Sequence, residues 1–200
     1  MTGTDIIARF NLQVDDSSEL SSSEELDLVN EVYSDVSNDR PWEWLRATAT
    51  GTTSTSVSYI ALPSDFREVK ANKDGISVIF VGTDYQEYKV ISFSDRRSYR
   101  NQNGFCYIDI PTQRLYFTLQ PTTAKAIEYD YIKIPTVLTT STSPLFREGF
   151  HKIIAYGMAA RFNPIELSDK STSYMRENTG RYLEILSDMR IEDANIKLSI

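Results

Sequence analysis

The residue types best suited to catalysis or metal binding are isolated from one another in this sequence. His151 is the only histidine and Cys106 the only cysteine. His151 lies between Phe150 and Lys152 in a predicted helix, whereas a zinc site needs three or four ligands brought together. We therefore predict that His151 is a structural or surface histidine and that Cys106 is a buried, inert thiol in a strand. The sequence predicts no metal and no other cofactor.

Carboxylates are plentiful, but their positions are those of helix starts and solvated faces. Paired acids that hydrolyse a glycoside would have to converge from distant parts of the chain, and a hydrolase would need such a pocket. The eight glycines are scattered and form no G-x-x-x-x-G-K phosphate loop. We therefore predict that the protein is not an enzyme.

One basic and aromatic cluster stands out, Arg96-Arg97-Ser98-Tyr99-Arg100. It is interpreted either as a solvated hairpin loop or as a loop that contacts nucleic acid or an acidic partner. In a homo-oligomer the cluster could instead contact the acidic helix of a neighbouring copy. Such a heterologous interface has complementary charge and can close into a ring.

The formal net charge of −7 argues against non-specific nucleic-acid binding, which depends on Lys and Arg at phosphates. An acidic wall past which DNA slides without sticking remains compatible with this charge. The sequence shows no signal-peptide pattern and no apolar run of about 18 residues. We expect synthesis in the cytoplasm and no membrane contact.

The first part of the chain has helical patterns. A short helix is predicted over 6–12, and Ser22 with Glu25 is predicted to form the capping box of a longer helix. Val29, Val32 and Val36 contribute to its apolar stripe, which also includes Leu26 and Tyr33. Acidic residues lie mostly off this stripe: Glu24, Asp27, Glu31 and Asp35.

Two tryptophans follow this helix. Pro41 can open another helix at its first position, and Trp42 and Trp44 place large apolar area in a short segment. The tryptophans are interpreted either as filling the seam between helices and strands or as anchoring a neighbouring subunit, since Trp is enriched at interface hot spots.

The middle of the chain has strand patterns. Residues 48–58 are almost all small and polar and are predicted to be a loop or an extended arm. A hairpin is predicted from 105–110 and 115–119 around Pro111. The run 126–134 alternates as a strand with one buried face does. Successive strands with short turns favour an antiparallel meander, sandwich or small barrel.

The last part of the chain is helical again. Helices are predicted over 146–162 and 174–189, and the tail 191–200 is predicted to lie past the last helix and to fold on a partner. Two Ser/Thr-rich connectors bracket the strands. We therefore predict an α+β fold: a helical bundle from the N- and C-terminal helices, with an inserted antiparallel β lobe. The domain assignment is 1–50 with 140–200 for the helical domain and 51–139 for the β domain.

Three segments together resemble a known family. These are 22–33 (SSEELDLVNEVY), 40–45 (RPWEWL) and 59–66 (YIALPSDF), followed by a late helix over 146–162. In order and pattern they resemble tailed-phage head-to-tail adaptor (connector) proteins of the tail tubular protein A type. The resemblance covers most of the chain as an order of elements with short matches.

The resemblance implies a structural protein of the virion neck, a homo-dodecameric ring between the portal and the tail nozzle or tail tube protein. Genomic DNA would pass through it during ejection without sequence-specific binding. Within this hypothesis the acids Glu24, Asp27 and Glu31 face the channel. The predicted portal-docking residues are Ile191, Ile196, Leu198 and Ile200. The predicted subunit-interface residues are Trp42, Trp44, Arg96, Arg97 and Arg100.

The alternative hypothesis is of another class, a monomeric β-rich module that binds a carbohydrate or peptide. Its predicted contacts are Tyr85, Tyr88, Tyr99 and Tyr107. Glycan binding by the β region would favour it over the adaptor hypothesis.

Overall fold

The computed structural model describes residues 1–14, 20–72, 74–162 and 171–199, of whose side chains those of 171, 172, 198 and 199 are excluded. Within this part, the chain divides into two compact units, Met1–Trp44 with Pro135–Ile200 and Leu45–Ile134. The first unit contains the α-helices and the second contains the strands. The predicted domain boundaries, 50/51 and 139/140, stay a prediction.

The described part of the first unit contains four α-helices: α1 (Gly3–Val14), α2 (Ser22–Asn38), α3 (Lys152–Arg161) and α4 (Ser171–Ser199). Short 3-10 helices over Glu43–Leu45 and Glu148–Phe150 precede the strand region and α3, respectively. The predicted helix after Pro41 is therefore a single short turn. The short helix predicted over 6–12 is confirmed as part of α1.

The start of α2 differs from the prediction by one residue. Ser21, not Ser22, is the N-cap: its hydroxyl accepts from the Glu24 backbone N–H, and the Glu24 carboxylate accepts from the Ser21 N–H. Glu25, which was assigned the reciprocal role, is instead buried. The Ser-Ser-Ser and Glu-Glu runs allow either register, and the burial of Glu25 is compatible with only one of them.

The C-terminal segment also differs from the prediction. Residues 191–199 continue α4 and do not form a separate tail past the helix. The alternation of Ile196 with polar residues suggested a tail that folds on a partner as an added strand or a short helix. The i, i+4 ion pair of Lys197 with Asp193 at 2.9 Å instead supports helix at this end.

Helix α3 packs against the other helices through small residues. A Cβ atom on Gly157 would lie 2.5 Å from Cγ1 of Val32 in α2 and 3.1 Å from the ring of Tyr182 in α4. Only a glycine permits this approach, so Gly157 sets how closely α2 and α4 pack on α3. The apolar stripe predicted for α2 is confirmed, since Val29, Val32 and Val36 are fully buried.

The second unit is one eight-stranded sheet. Its strands are β1 (Arg46–Thr52), β2 (Tyr59–Ala61), β3 (Phe66–Val69), β4 (Val78–Val81), β5 (Gln86–Ile91), β6 (Phe105–Asp109), β7 (Arg114–Phe117) and β8 (Ala126–Lys133). The order across the sheet is β1-β8-β4-β5-β6-β7-β2, and β3 also pairs with β8. The end strands β1 and β2 approach each other, since a Cβ on Gly51 would contact Cδ1 of Ile60 at 4.0 Å. The sheet is therefore a nearly closed barrel.

The predicted fold class is wrong. The architecture rests on this nearly closed eight-stranded sheet with helices at the two ends of the chain, not on a helical bundle with an inserted antiparallel lobe. The sheet also contains a parallel pair, in which Val90 of β5 lies opposite Cys106 of β6. A 3-10 helix over Phe93–Arg97 provides the crossover that makes this pair parallel.

The segment 48–58 was predicted to be a loop or arm, and this is wrong for its first half. Residues Arg46–Thr52 form β1 and pair with β8 along seven residues, from Arg46 opposite Ile132 to Thr52 opposite Ala126. Threonine is β-branched and favours strands, but a partner about 80 residues away is invisible to local pattern. Strand β3 was not predicted either, because it also pairs with β8, which is distant in the sequence.

The interior of the barrel is formed by alternate residues of its strands. The hairpin β6–β7 is confirmed, with Ile108 opposite Leu115, and the alternation of β8 places Ile127, Tyr129 and Tyr131 in the core. Cys106 is fully buried in this core, and burial raises the pKa of its thiol to about 12. The prediction of a buried thiol is confirmed.

Candidate interaction surfaces

Among the residues that the structure describes, no three His, Cys, Asp or Glu side chains come together as a metal site. His151 is buried, and its Nε2 donates to the Phe146 carbonyl at 2.8 Å. Burial, more than any other influence, lowers the pKa of His151. These contacts are those of a structural histidine that holds the turn before α3.

An aromatic pocket of about 140 Å³ lies among the helices. Trp44 lines this pocket, and the centroid of its ring lies 6.1 Å from that of Trp42 and 5.2 Å from that of Phe146. Trp42 is fully buried, and its Nε1 donates to the Val36 carbonyl at 2.7 Å. The remaining lining residues are Arg147, Phe150, Met189, Glu192, Asp193 and Ile196. The pocket therefore has an apolar lining with charged groups at its edge.

Hydrogen bonds and ion pairs connect the charged residues of this pocket to parts of the chain that are distant in sequence. Asp193 is only 3% exposed, and its Oδ1 accepts from the Glu43 backbone N–H at 2.8 Å. Its Oδ2 lies 2.9 Å from Nζ of Lys197 and 3.4 Å from Nε of Arg40. These contacts hold the segment after α2 against the last turns of α4.

The acids predicted to face a channel lie along α2. Glu24, Asp27 and Glu31 are all exposed, and Glu31 lies 3.6 Å from Nε of Arg161. Hydrogen bonds from Ser21 lower the pKa of Glu24, so the Glu24 side chain of the capping box is a carboxylate at neutral pH. The helix thus presents a negatively charged face along about two turns.

The predicted portal-docking residues lie in the last part of α4. Ile191 is 58% exposed and Ile196 is 41% exposed, and Ile196 also lines the aromatic pocket. The side chain of Leu198 and the whole of Ile200 lie outside the described part of the chain. The structure therefore brings the aromatic pocket and the predicted docking segment together.

The basic cluster begins in the 3-10 helix over Phe93–Arg97 and continues into the turn after it. Arg96 donates to the Phe93 carbonyl at 2.6 Å and its guanidinium lies 3.8 Å from the Phe93 ring centroid. Arg97 and Arg100 are exposed. The cluster therefore presents two exposed arginines beside one arginine that is held on an aromatic ring.

The four tyrosines of the alternative hypothesis do not form a common surface. Tyr88 packs toward the barrel core, edge-on to Phe117 at 5.9 Å. Tyr107 points to the other face of the sheet and stacks on Tyr116 at 5.3 Å. Tyr85 is 61% exposed and sits beside Phe80 in a different turn.

Sequence reasoning missed a row of aromatic rings outside the barrel. Tyr116 of β7 lies between Tyr59 and Tyr107, at 5.4 and 5.3 Å between ring centroids. Tyr107 and Tyr116 lie opposite each other in the β6–β7 register, whereas the predicted turn over 111–114 would have placed Tyr107 opposite Thr118. The turn lies one residue earlier than predicted, so the sequence did not show this cross-strand pair. The position of Tyr59 required knowledge of the β2–β7 pairing.

Comparison with known families decides the class of the protein. The sequence profile of the SU10 adaptor protein family matches residues 1–195. The chain belongs to the SU10 adaptor protein family. The resemblance to phage head-to-tail adaptors is confirmed at this level. No curated protein matches the chain.

SU10 adaptor proteins are structural phage proteins and not an enzyme class. Membership implies a virion component with a role in the phage neck, where portal and tail proteins are the partners. Among the helices described here, none is long and apolar enough to cross a membrane.

Proposed function

We propose that this SU10 adaptor protein forms a homo-oligomeric ring, a dodecamer, that joins the portal to the tail nozzle or tail tube protein. The ring encloses part of the channel through which genomic DNA is ejected. The observation that carries the proposal is the family match over nearly the whole chain. The charged and apolar surfaces of the helices support it.

The acidic face of α2 is proposed to line the channel. Glu24, Asp27 and Glu31 are exposed on this helix, and a ring would repeat them around its axis. A negatively charged wall repels phosphates, which prevents DNA from sticking during passage. No sequence-specific contact with DNA is required for this role.

The last part of α4 is proposed to dock the portal. Ile191 and Ile196 are large apolar side chains with exposed fractions of 58% and 41%. Full burial of a large apolar side chain contributes about 1.5–3 kcal/mol, and the exposed fractions of Ile191 and Ile196 leave about half of that gain for docking. Leu198 and Ile200 continue the same apolar segment in the sequence.

Trp44 and the basic cluster are proposed to contact the neighbouring subunit. Trp44 and Arg96 are partly exposed, and Arg97 and Arg100 are exposed. Trp42 is 0% exposed, so its proposed contribution to the interface is to support Trp44 from behind. Trp and Arg are the residue types enriched at interface hot spots.

Native mass spectrometry of the purified chain, alone and with the portal protein, tests the ring. We expect a closed oligomer of defined subunit number, dodecameric if the proposal is right. A chain that stays monomeric in both conditions would overturn it. A single image of the purified particle along its axis checks the same result independently.

Portal docking is tested by Ile191→Asp, because deleting the residues after Ile191 would also remove the structural Asp193. We expect Ile191→Asp to abolish portal binding with little change in stability. Leu183→Asp is the matched control, since Leu183 is 55% exposed on the same helix. Equal portal binding by both variants and the wild type would refute the docking role.

A further inference from the structure

The outer face of the barrel carries a row of four aromatic rings. Across β2, β7 and β6 the rings of Tyr59, Tyr116 and Tyr107 follow one another at 5.4 and 5.3 Å, and Phe93 continues the row at 5.8 Å from Tyr107. Tyr107 and Tyr116 are within 9° of parallel. We call this row the aromatic ladder.

An arginine lies on each end of the aromatic ladder. The Arg114 guanidinium is 4.0 Å from the ring centroid of Tyr59, and that of Arg96 is 3.8 Å from the ring centroid of Phe93. Cation–π contacts of this kind hold the guanidinium groups in place. Arg97 and Arg100 add positive charge near one end, against the carboxylates of Asp95 and Asp109, so this side of the barrel is basic.

Only the middle pair of the ladder is stacked. Tyr59 is tilted by 53° to Tyr116, and Phe93 is edge-on to Tyr107 at 69°. Nucleobases bind by stacking on open aromatic faces. In the ladder, Tyr107 and Tyr116 cover one face of each other, and the guanidinium groups of Arg114 and Arg96 cover one face of the two end rings. What the ladder offers a partner is ring edges, hydroxyl groups and fixed arginines, which suit an acidic protein surface.

Another outer face of the same barrel is acidic. In the strand register, Glu87 of β5 and Glu128 of β8 lie on either side of Phe80 in β4. Both carboxylates are exposed, and Tyr85 lies edge-on to Phe80 at 6.3 Å. Asp84 adds a further negative charge in the adjoining turn. Lys89 lies on the same face of β5 as Glu87, and Lys125 directly precedes β8, so the three acids of this face exceed its two lysines by one charge. We call Glu87, Phe80 and Glu128 the acidic row.

The two faces lie far apart around the barrel. In the strand order, β7 at the centre of the aromatic ladder is three strands from β4 at the centre of the acidic row. That is about half the circumference of a nearly closed barrel of this size. A single molecule therefore cannot bring the two faces together, whereas two molecules can.

We propose that the aromatic ladder of one copy docks on the acidic row of a second copy. The contact pairs Arg114 and Arg96 with Glu87 and Glu128, and it places Phe80 against the tyrosine edges. Two different faces make this a heterologous contact, which closes into a ring when its rotation allows. The inference rests on the proposed homo-oligomeric function and names the surfaces that would build it.

Charge reversal of each face tests the contact. One variant carries Arg96→Glu with Arg114→Glu, and a second carries Glu87→Lys with Glu128→Lys. Assembly is measured by native mass spectrometry and sedimentation velocity of the full chain, alone and with the portal protein. Asp74→Lys with Asp188→Lys is the control for the second variant, since both residues are exposed and lie outside the two faces.

We expect each variant to lose at least tenfold in its assembly constant, while the control assembles as the wild type does. Mixing the two variants should restore assembly as a ring of alternating subunits. The negatively charged ladder of the first variant then contacts the positively charged row of the second, and the other interface has both native faces. A chain with all four substitutions should also assemble. Loss of assembly in either variant without rescue by mixing would overturn the inference.

The competing outcomes separate this inference from the proposed function. If the wild type forms no oligomer, alone or with portal, both are overturned. If the wild type and both variants assemble equally, only the inference is overturned and the ring stands. If reversal of Asp27 and Glu31 abolishes assembly and reversal of the acidic row does not, the ladder does not bind the acidic row.

A disulfide provides a second measurement that does not depend on charge. Tyr116→Cys and Phe80→Cys in one chain should give covalent multimers on mild oxidation, because the two positions face each other only between copies. Each single substitution should give none. The native Cys106 is buried and does not interfere. Monomers alone after oxidation of an assembled sample would contradict the proposed pairing.

Discussion

The Asp193 carboxylate accepts a hydrogen bond from the Glu43 backbone N–H at 2.8 Å across 150 residues of sequence. The same carboxylate forms ion pairs with Arg40 and Lys197. It is almost fully buried, whereas both cations remain about one-third exposed. Asp193 therefore connects the segment after α2 to the end of α4 and closes one side of the aromatic pocket.

Asp193→Ala is expected to lower the free energy of unfolding by about 2–3 kcal/mol, because it leaves the part-buried Glu43 N–H without its acceptor and removes the carboxylate that Arg40 and Lys197 share. Urea denaturation of the full chain measures this change. The control is Glu192→Ala on the same turn, whose exposed pair with Arg147 at 3.3 Å contributes about 0–1 kcal/mol. Equal losses for the two variants would contradict the structural role of Asp193.

Gly157→Ala is expected to destabilise the protein by about 1–3 kcal/mol, since the added Cβ would overlap Cγ1 of Val32 at 2.5 Å. Gly180→Ala in α4 is the control, because a Cβ there meets nothing within 4 Å. It should stabilise the helix by about 0.5–1 kcal/mol. Thermal unfolding of both variants checks the opposite signs, and stabilisation by both would argue against the close packing of α3.

Cys106 is expected to resist thiol reagents in the folded protein. Its side chain is fully buried, and burial raises the pKa of its thiol to about 12, so almost no thiolate exists at pH 8. The thiol should react fully once the protein is unfolded in urea. The rate of modification, followed with a chromogenic disulfide reagent, measures the difference. Rapid modification of the native chain would show that the barrel core opens readily.

Alkaline conditions are expected to destabilise the barrel. Burial, and secondly a hydrogen bond to Asp65, raise the pKa of Tyr131 to about 12, and burial raises that of Tyr129 to about 12. Because these values exceed the usual value of about 10, the stabilisation is complete below pH about 10 and decreases as the pH rises toward 12.

Free energies of unfolding from pH 8 to pH 12 measure this alkaline dependence. Tyr131→Phe should reduce the loss of stability over that range, because it removes one ionising group from the core. The exposed Tyr85→Phe serves as the control and should leave the dependence as in the wild type. An identical pH dependence in the wild type and Tyr131→Phe would contradict the assignment.

Local sequence patterns determined much of the secondary structure. The valines of α2 repeat at the spacing of one helix face, and β8 alternates as a half-buried strand, so burial is encoded within each element. The hairpin of β6 and β7 is also local, because its two strands are joined by a short turn. The SU10 adaptor profile matches residues 1–195, a span that includes all of these elements.

Long-range pairing was not determined by local pattern, and the errors follow from this. Strand β1 is held by β8 from a distant part of the sequence, and the parallel pair of β5 and β6 depends on how the chain crosses between them. The loop predicted over 48–58 was wrong at 48–52 for this reason, and so was the predicted fold class. The register of the capping box at Ser21 likewise depended on which acid of the pair the core could bury.

The sequence by itself determined that this is a phage adaptor protein with an acidic helix, a basic cluster and a buried cysteine. Only the tertiary structure decided that Tyr59 joins Tyr116 and Tyr107 in one ladder, and that Asp193 closes the aromatic pocket. The physical reason is range: helix and strand periodicity act over a few residues, whereas these surfaces form from side chains that meet only after the chain has folded.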